Sequence, residues 1–372
     1  MAKKLLLAGG GHAHMMVLAN LRRFREMGYE VTVIQPSPHH YYSGMGPGML
    51  GRTYRPEEIR FATRLVVEKQ GGTFILGKVA EVEPAANRVI LESGETVPYD
   101  VVSFNIGSNV SRHVSAEKSD TIFPVKPIER LQEAQQLILR LGADKPLNVG
   151  IVGGGPSAVE IAGNVWGLAR KSGLQPVTIK IFARTSIMTS FPDGVRYYAI
   201  NSLNRRNIQI IEHCTVTRIE KGSIEIDSHQ SHELDVIFVA IGVQPSPVFK
   251  NSGLATGPEG GLVVNRCLQS EEYPNIFGGG DCIYFRDQPL DKVGVYAVRQ
   301  NPVLLHNLTA ALAGGPLREF TPQRDYLLIF NLGDGTGIFR KKGLLFDGRL
   351  AFILKDYIDR RFMKKFQALE WM

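Results

Sequence analysis

At 372 residues, 44% hydrophobic and 21% charged, the chain is too long for one ordinary core and reads as a soluble globular protein of two or three domains. Its net charge of +7 is local: from Arg340 to Met372 nine Lys/Arg face four Asp/Glu, which argues for one basic patch and against a broad nucleic-acid face. Cys214, Cys267 and Cys282 make no CxxC pair, as suits a reducing compartment. The apolar run after the basic start is too short for a signal peptide, and no stretch approaches a membrane span. A cytoplasmic protein is expected.

In chain order, the apolar run Lys4–Leu7 leads into Gly9-Gly10-Gly11, a helix predicted over His14 to Met27, and a strand over Glu30–Ile34. That is one strand–turn–helix–strand unit. The pattern returns as a strand over Leu147–Val152, the turn Gly153–Pro156, a helix from Ser157 to about Ser172 and a strand over Val177–Phe182. Val79–Val97 and Gln209–Ile226 are β-rich, and Pro124–Pro127 and Asn251–Gly261 carry turn signals expected where the chain crosses between domains. The fold class is α/β, with two Rossmann-like dinucleotide-binding units.

Gly9-Gly10-Gly11-His12-Ala13-His14 nearly matches GxGxxG. Gly9 permits the tight turn, Gly11 lets the backbone approach a pyrophosphate, and the helix N-terminus offers N–H groups to phosphate. His14 stands where the third glycine would, so helix and strand should pack less closely there. The second strand ends in Gln35 rather than an acid, and its amide is the candidate for the ribose hydroxyls. The second turn, Gly153-Gly154-Gly155-Pro156-Ser157-Ala158, matches better. Phe182-Ala183-Arg184 lacks the acid that reads a ribose 2′-hydroxyl, and Arg184 could accept a 2′-phosphate instead. A solvated surface arginine is the other interpretation.

Tyr99–Ser108 and Leu234–Pro247 resemble the strand-to-loop crossovers of the pyridine nucleotide-disulfide oxidoreductase superfamily, and Tyr273–Cys282 resembles its second FAD motif. Within that superfamily the chain is most similar to type II NADH dehydrogenases. It is closer still to the flavoprotein module found alone or fused to selenide, water dikinase, through GGGHAH, YYSGMGPGML, VGVYAVRQNPVL and KDYIDRRFMKKF. The resemblance implies a discontinuous FAD domain over 1–115 and 265–325, an inserted NAD(P)-type domain over 116–264, and a membrane-associating or interface segment over 326–372. It implies FAD contacts from Gly9, Gly10, Gly11, His12, Ala13, Gln35, Ser43, Val79, Gly107, Gly280 and Asp281, and nicotinamide-side contacts from Gly153, Gly155, Ser157, Ala158 and Arg184. Glu160 matches a glutamate beside the flavin–nicotinamide junction, where a carboxylate could orient the nicotinamide amide or pass a proton; an ordinary helix glutamate would read the same.

The departures bear on chemistry. No cysteine precedes Cys214, so the CxxxxC relay of disulfide reductases is absent, and Cys282 reads as a small buried hydrophobe. Where relatives carry AQxAxQ, the run is Gly294-Val295-Tyr296-Ala297-Val298-Arg299, with Gln300 one position late; this weakens the case for a quinone. Lys292, Tyr296 and Arg299 belong to a helix that the resemblance brings to the flavin's pyrimidine side. His39 and His40 lack metal-ligand spacing and read as structural, and no metal is expected. Leu354, Ile358, Phe362, Phe366 and Leu369 recur at three-to-four spacing with basic residues between them, which suits either an interfacial helix or a core-packed one.

The expected function is an FAD-dependent oxidoreductase that oxidises NAD(P)H and reduces a quinone-like or other small acceptor. Two alternatives stand beside it: a sulfide- or selenium-linked reductase without the cysteine relay, and a flavin-bearing module with no turnover. The expected partners are a small-molecule donor and acceptor, an anionic surface on the inner face of the cell membrane, and a second copy of the chain, but no nucleic acid.

Overall fold

The computed structural model describes residues 2–110, 115–116 and 119–371. Two five-stranded parallel sheets dominate it. The first runs, edge to edge, Ile276–Gly278, Val101–Phe104, Lys4–Ala8, Glu30–Gln35 and Thr73–Leu76. The second runs Ile122–Pro124, Val236–Val239, Leu147–Val152, Val177–Phe182 and Gln209–Ile211. The α/β class expected from the sequence is what the structure has. In both sheets the strand before the glycine turn is central. The chain leaves it to one side and later returns on the other, and this reversal opens a crevice at the strands' carboxyl ends.

The central strands are continuous apolar runs because both faces are covered: Leu5, Leu6, Leu7, Ala8, Val149 and Ile151 are all buried. Each run ends at a glycine with positive φ, +88° at Gly9 and +138° at Gly153, a conformation glycine alone adopts without strain. The helix after the second turn, Pro156–Lys171, begins with proline at its first position, where no intrahelical N–H is required. The helix predicted over 14–27 is broken. It forms as His12–His14, Met15–Leu18 and Leu21–Glu26, and the Asn20 side chain donates to Met16 O at 2.7 Å, competing with the helical backbone.

The β-rich stretches form small antiparallel sheets, among them Val79–Glu83 with Arg88–Leu91 and Thr96–Pro98. Ser108–Val110 pairs with Val243–Pro245, joining the segments that follow the two sheets. After the long helix Gly294–Ala313, a three-stranded sheet (Leu328–Asn331, Gly337–Lys341, Leu344–Gly348) leads into the terminal helix Arg349–Gln367. The domain junction expected at 115/116 falls beside residues 111–114 and 117–118, which lie outside the described residues.

Candidate active site

A cavity of about 640 Å³ opens at the switch point of the first sheet and reaches the helix Pro156–Lys171 of the second, within the range of small-molecule and cofactor sites. Gly9 to His12, Gln35, Ser43, Val79, Gly107, Gly280 and Asp281 line it from the first half, and Ser157 and Glu160 from the second. Ala13, Gly153, Gly155, Ala158 and Arg184 are not among its lining residues.

The first glycine turn commits most of its own N–H groups. Gly9 donates to Ile34 O at 2.8 Å, Gly10 to Gln35 Oε1 at 3.1 Å and Ala13 to Asn105 Oδ1 at 3.1 Å. Of the turn's own N–H groups, those of Gly11 and His12 are left over for a phosphate, and that of Ala13 is spent on Asn105. Gln35 keeps only its oxygen for a hydroxyl. Its amide nitrogen donates to Ser37 O at 2.6 Å and His39 O at 2.8 Å, so both hydrogens are used and it has none to donate to a ribose. His14 is tied into the strand and turn. Fully buried, it sets Nδ1 2.6 Å from Gly9 O and Nε2 2.7 Å from Ser103 Oγ. A carbonyl only accepts, so Nδ1 carries the proton and Nε2 accepts from the serine. Burial pushes this imidazole down to about 4, against the bond to Gly9.

Asp281 sits at the cavity wall with Lys126 Nζ at 2.7 Å and Ser108 Oγ at 2.8 Å, both on Oδ2. Burial pushes its carboxyl up, and Lys126, Ser108 and Lys292 together outweigh that and hold it below its ordinary value. His12, stacked at 6.0 Å on Phe362 and 4.8 Å from the His40 ring, is pushed down to about 4 by burial, against the pull of Asp281. The Nε2 atoms of His12 and His40 are buried without a partner. His40 and His39 join no metal-holding cluster among the described residues.

Glu160 faces the cavity, and its Oε1 accepts from Asn331 N–H at 2.7 Å. Burial pushes it up to about 7, against Lys355 and the Asn331 bond, with Asp359 adding to the rise. The source of that field was missed in the sequence. Lys355, buried, donates to Asp359 at 2.7 Å and to Gly44 O at 2.8 Å, and Tyr42 donates to the other Asp359 oxygen at 3.0 Å. Burial drives the Lys355 ammonium down, and Asp359 and Glu160 more than offset it. The i,i+4 spacing of Lys355 and Asp359 was visible; their inward direction was not.

On the helix Gly294–Ala313, Gly294 and Ala297 line the cavity, as does Lys292 just before it, while Tyr296 turns away to Gln323 O at 3.4 Å. Gln300 accepts from Gly280 N–H at 2.7 Å, so it supports the second FAD-like loop. Cys282 is buried, its thiol set on Phe104 O and Gly279 O and pushed up to about 11 by burial. Among the described residues no cysteine lines the cavity. At the second nucleotide unit Arg184 is exposed. Just past the next strand, Glu212 accepts from Ile187 N–H at 2.8 Å and Ser186 Oγ at 3.2 Å, with Arg196 at 3.4 Å.

The terminal helix turns part of its recurring apolar set inward. Phe366 is buried, and Phe362 packs on Tyr42 and Phe366 at 4.9 and 5.0 Å. The exposed apolar set is Leu350, Ile353, Tyr357, Ile358 and Trp371. No helix among the described residues is long and apolar enough to cross a membrane.

The chain is similar to the type II NADH:quinone oxidoreductase of Staphylococcus saprophyticus, 24% identical over 96% of this chain and 94% of that one. Its fold resembles NDH2 of Plasmodium falciparum in complex with NADH (TM-score 0.82, 14% identity, covering 100% and 97% of the two chains). It also resembles the sulfide:quinone oxidoreductase of Aquifex aeolicus (TM-score 0.80, 20% identity, 99% and 92%). Residues 3–307 match the pyridine nucleotide-disulphide oxidoreductase family, and the chain belongs to that family of oxidoreductases.

Proposed function

We propose that the chain is an FAD-dependent NAD(P)H dehydrogenase that passes electrons to a quinone-like or other small acceptor. One observation carries this: Glu160, held near neutral pKa, and Asp281 open onto a single cavity with the first glycine turn. FAD suits the residues present. Gly11 and His12 have uncommitted N–H groups for a diphosphate, Asp281 offers a carboxylate for ribityl hydroxyls, and His12 Nε2 is buried without a partner. Residues 1–115 and 265–325 would form the FAD domain, 116–264 the nicotinamide domain, and 326–372 the segment that meets a membrane.

FAD held there would supply a hydride acceptor that can return electrons one or two at a time. The protein's share is proton handling and exclusion of water. Glu160, titrating near pH 7, is suited to take or give a proton at the cavity wall. Lys355 limits how far burial can raise it, and the ring of Phe362 stacks on His12 at the wall. Gly153, Gly155, Ser157 and Ala158 would seat the nicotinamide coenzyme, with exposed Arg184 meeting a 2′-phosphate.

The sulfide- or selenium-linked alternative lacks a thiol at the cavity. The test is steady-state NAD(P)H oxidation by purified, FAD-loaded protein with a water-soluble quinone, beside sulfide and selenide as donors. Turnover with nicotinamide supports the proposal. Turnover with sulfide or selenide alone overturns it in favour of that alternative, and no turnover with any donor favours the non-catalytic module.

A further inference from the structure

The ion pair Lys126–Asp281 joins the two halves across the cavity. Lys126 follows the strand Ile122–Pro124, which pairs with Val236–Val239 in the second sheet. Asp281 follows Ile276–Gly278, which pairs with Val101–Phe104 in the first. The pair is 2.7 Å long, its side chains only 25% and 14% exposed, and both residues line the cavity. Ser108 completes it, accepting from Lys126 at 3.1 Å and donating to Asp281 at 2.8 Å. Both bonds fall on Oδ2; among the described residues no hydrogen bond reaches Oδ1.

We propose that Lys126 is a positioning residue for the cofactor: with Ser108 it clamps one oxygen of Asp281 and presents the other to a hydroxyl of the bound cofactor, so that a residue of the second half governs how tightly the first half holds FAD. The argument is geometric. A carboxylate with one oxygen fixed by an ammonium and a hydroxyl has lost its rotational freedom before the ligand arrives, and that ordering is no longer a cost of binding. It rests on the assignment of FAD to this cavity.

The charged and titratable groups facing Asp281 are Lys126, Lys292 from the segment before Gly294–Ala313, His12 on the glycine turn, and the neighbouring Cys282 thiol. Without Lys126, the burial that raises the Asp281 carboxyl is opposed by Ser108 and Lys292 alone. Asp281 would then take up its proton at a higher pH, and a protonated Asp281 is a poorer acceptor for a hydroxyl.

The test is a double-mutant cycle read by FAD affinity, measured from flavin fluorescence on adding FAD to apoprotein, for wild type, Lys126→Met, Asp281→Asn and the double variant. Lys126→Met should weaken FAD roughly tenfold, and the double variant should be no weaker than Asp281→Asn alone, because Lys126 acts through Asp281. The affinity of Lys126→Met should fall as the pH is lowered and should begin to fall at a higher pH than in the wild type, and Lys126→Arg should restore most of the loss. Independent, additive losses or an unchanged Lys126→Met would overturn the proposal. Should Lys126→Met not fold, Lys126→Gln, which keeps a donor without the charge, carries the same comparison. A wild type that binds no FAD would instead remove the assignment of the cavity, an outcome distinct from the cycle's.

Discussion

Glu160 accepts its 2.7 Å hydrogen bond from the backbone of Asn331, so the strand that leads toward the terminal helix fixes the carboxylate that the cavity exposes. Residues 171 positions apart in sequence are thereby joined at the cavity wall. Glu160→Gln keeps the shape and the accepting oxygen but cannot exchange a proton. FAD should stay bound while turnover falls 10²–10⁴-fold, the usual worth of general acid–base help. A change under about threefold would make Glu160 structural.

The same residue predicts a pH dependence of stability. Its carboxyl is raised from an ordinary value of 4.5 to about 7, so between those values the native state holds a proton that the unfolded state has released. Its stabilising contribution is present below the unfolded value and is lost as pH rises through about 7. Glu160→Gln should therefore melt higher than wild type at pH 8, by an amount on the order of 3 kcal/mol, and the difference should shrink toward pH 5. Paired thermal melts at the two pH values check this.

Lys355 and Asp359 form a buried pair held also by Gly44 and Tyr42. Removing one partner strands the other charge, so Lys355→Met should cost about 3–5 kcal/mol. It also removes the charge that lowers the Glu160 pKa, so the neutral-pH inflection in kcat should move to higher pH. A pH–rate profile with an unmoved inflection would separate Lys355 from the site.

Cofactor retention depends on the glycine turn through protein contacts as well as ligand contacts. A Cβ on Gly11 would overlap Asn105 Oδ1, the atom that accepts from Ala13 N–H, and the same amide donates to Gly279 O at 2.6 Å. Gly11→Val and Asp281→Ala should each purify without stoichiometric FAD, as measured by flavin absorbance after denaturation. Full FAD in both would move the cofactor elsewhere.

The terminal helix should bind anionic vesicles through Leu350, Ile353, Tyr357 and Trp371, with Arg361, Lys364 and Lys365, all exposed, at the headgroups. Each basic residue contributes on the order of 1 kcal/mol near an anionic surface, fading as salt rises. Ile353→Asp with Tyr357→Asp should abolish co-sedimentation without lowering the melt. Phe362→Asp with Phe366→Asp should destabilise by several kcal/mol, because Phe366 is buried and Phe362 packs against it. The opposite pattern would reverse the helix's orientation.

What was legible in the sequence follows from what is local. Leu147–Val152 and Val177–Phe182 could be bounded to the residue, because apolar runs rich in β-branched side chains stop at glycine, proline or a polar turn. The helix over 14–27 could not, since its break depends on one Asn20 side chain choosing the backbone. Gln35 was legible as an amide at a strand end, but its use of both hydrogens on Ser37 and His39 depends on how the following loop folds back. The apolar spacing of the tail identified a helix and left open which side met the protein. Lys355, read as one of the basic residues between apolar positions, proved to point inward toward Gly44 and Asp359.

The most direct test of the account is anaerobic mixing of the FAD-loaded protein with NADPH or NADH, following the oxidised-flavin absorbance at about 450 nm. Rapid bleaching by NADPH is expected, with a preference over NADH that falls roughly ten- to a hundred-fold in Arg184→Ala. A flavin that stays oxidised with both coenzymes would contradict the account.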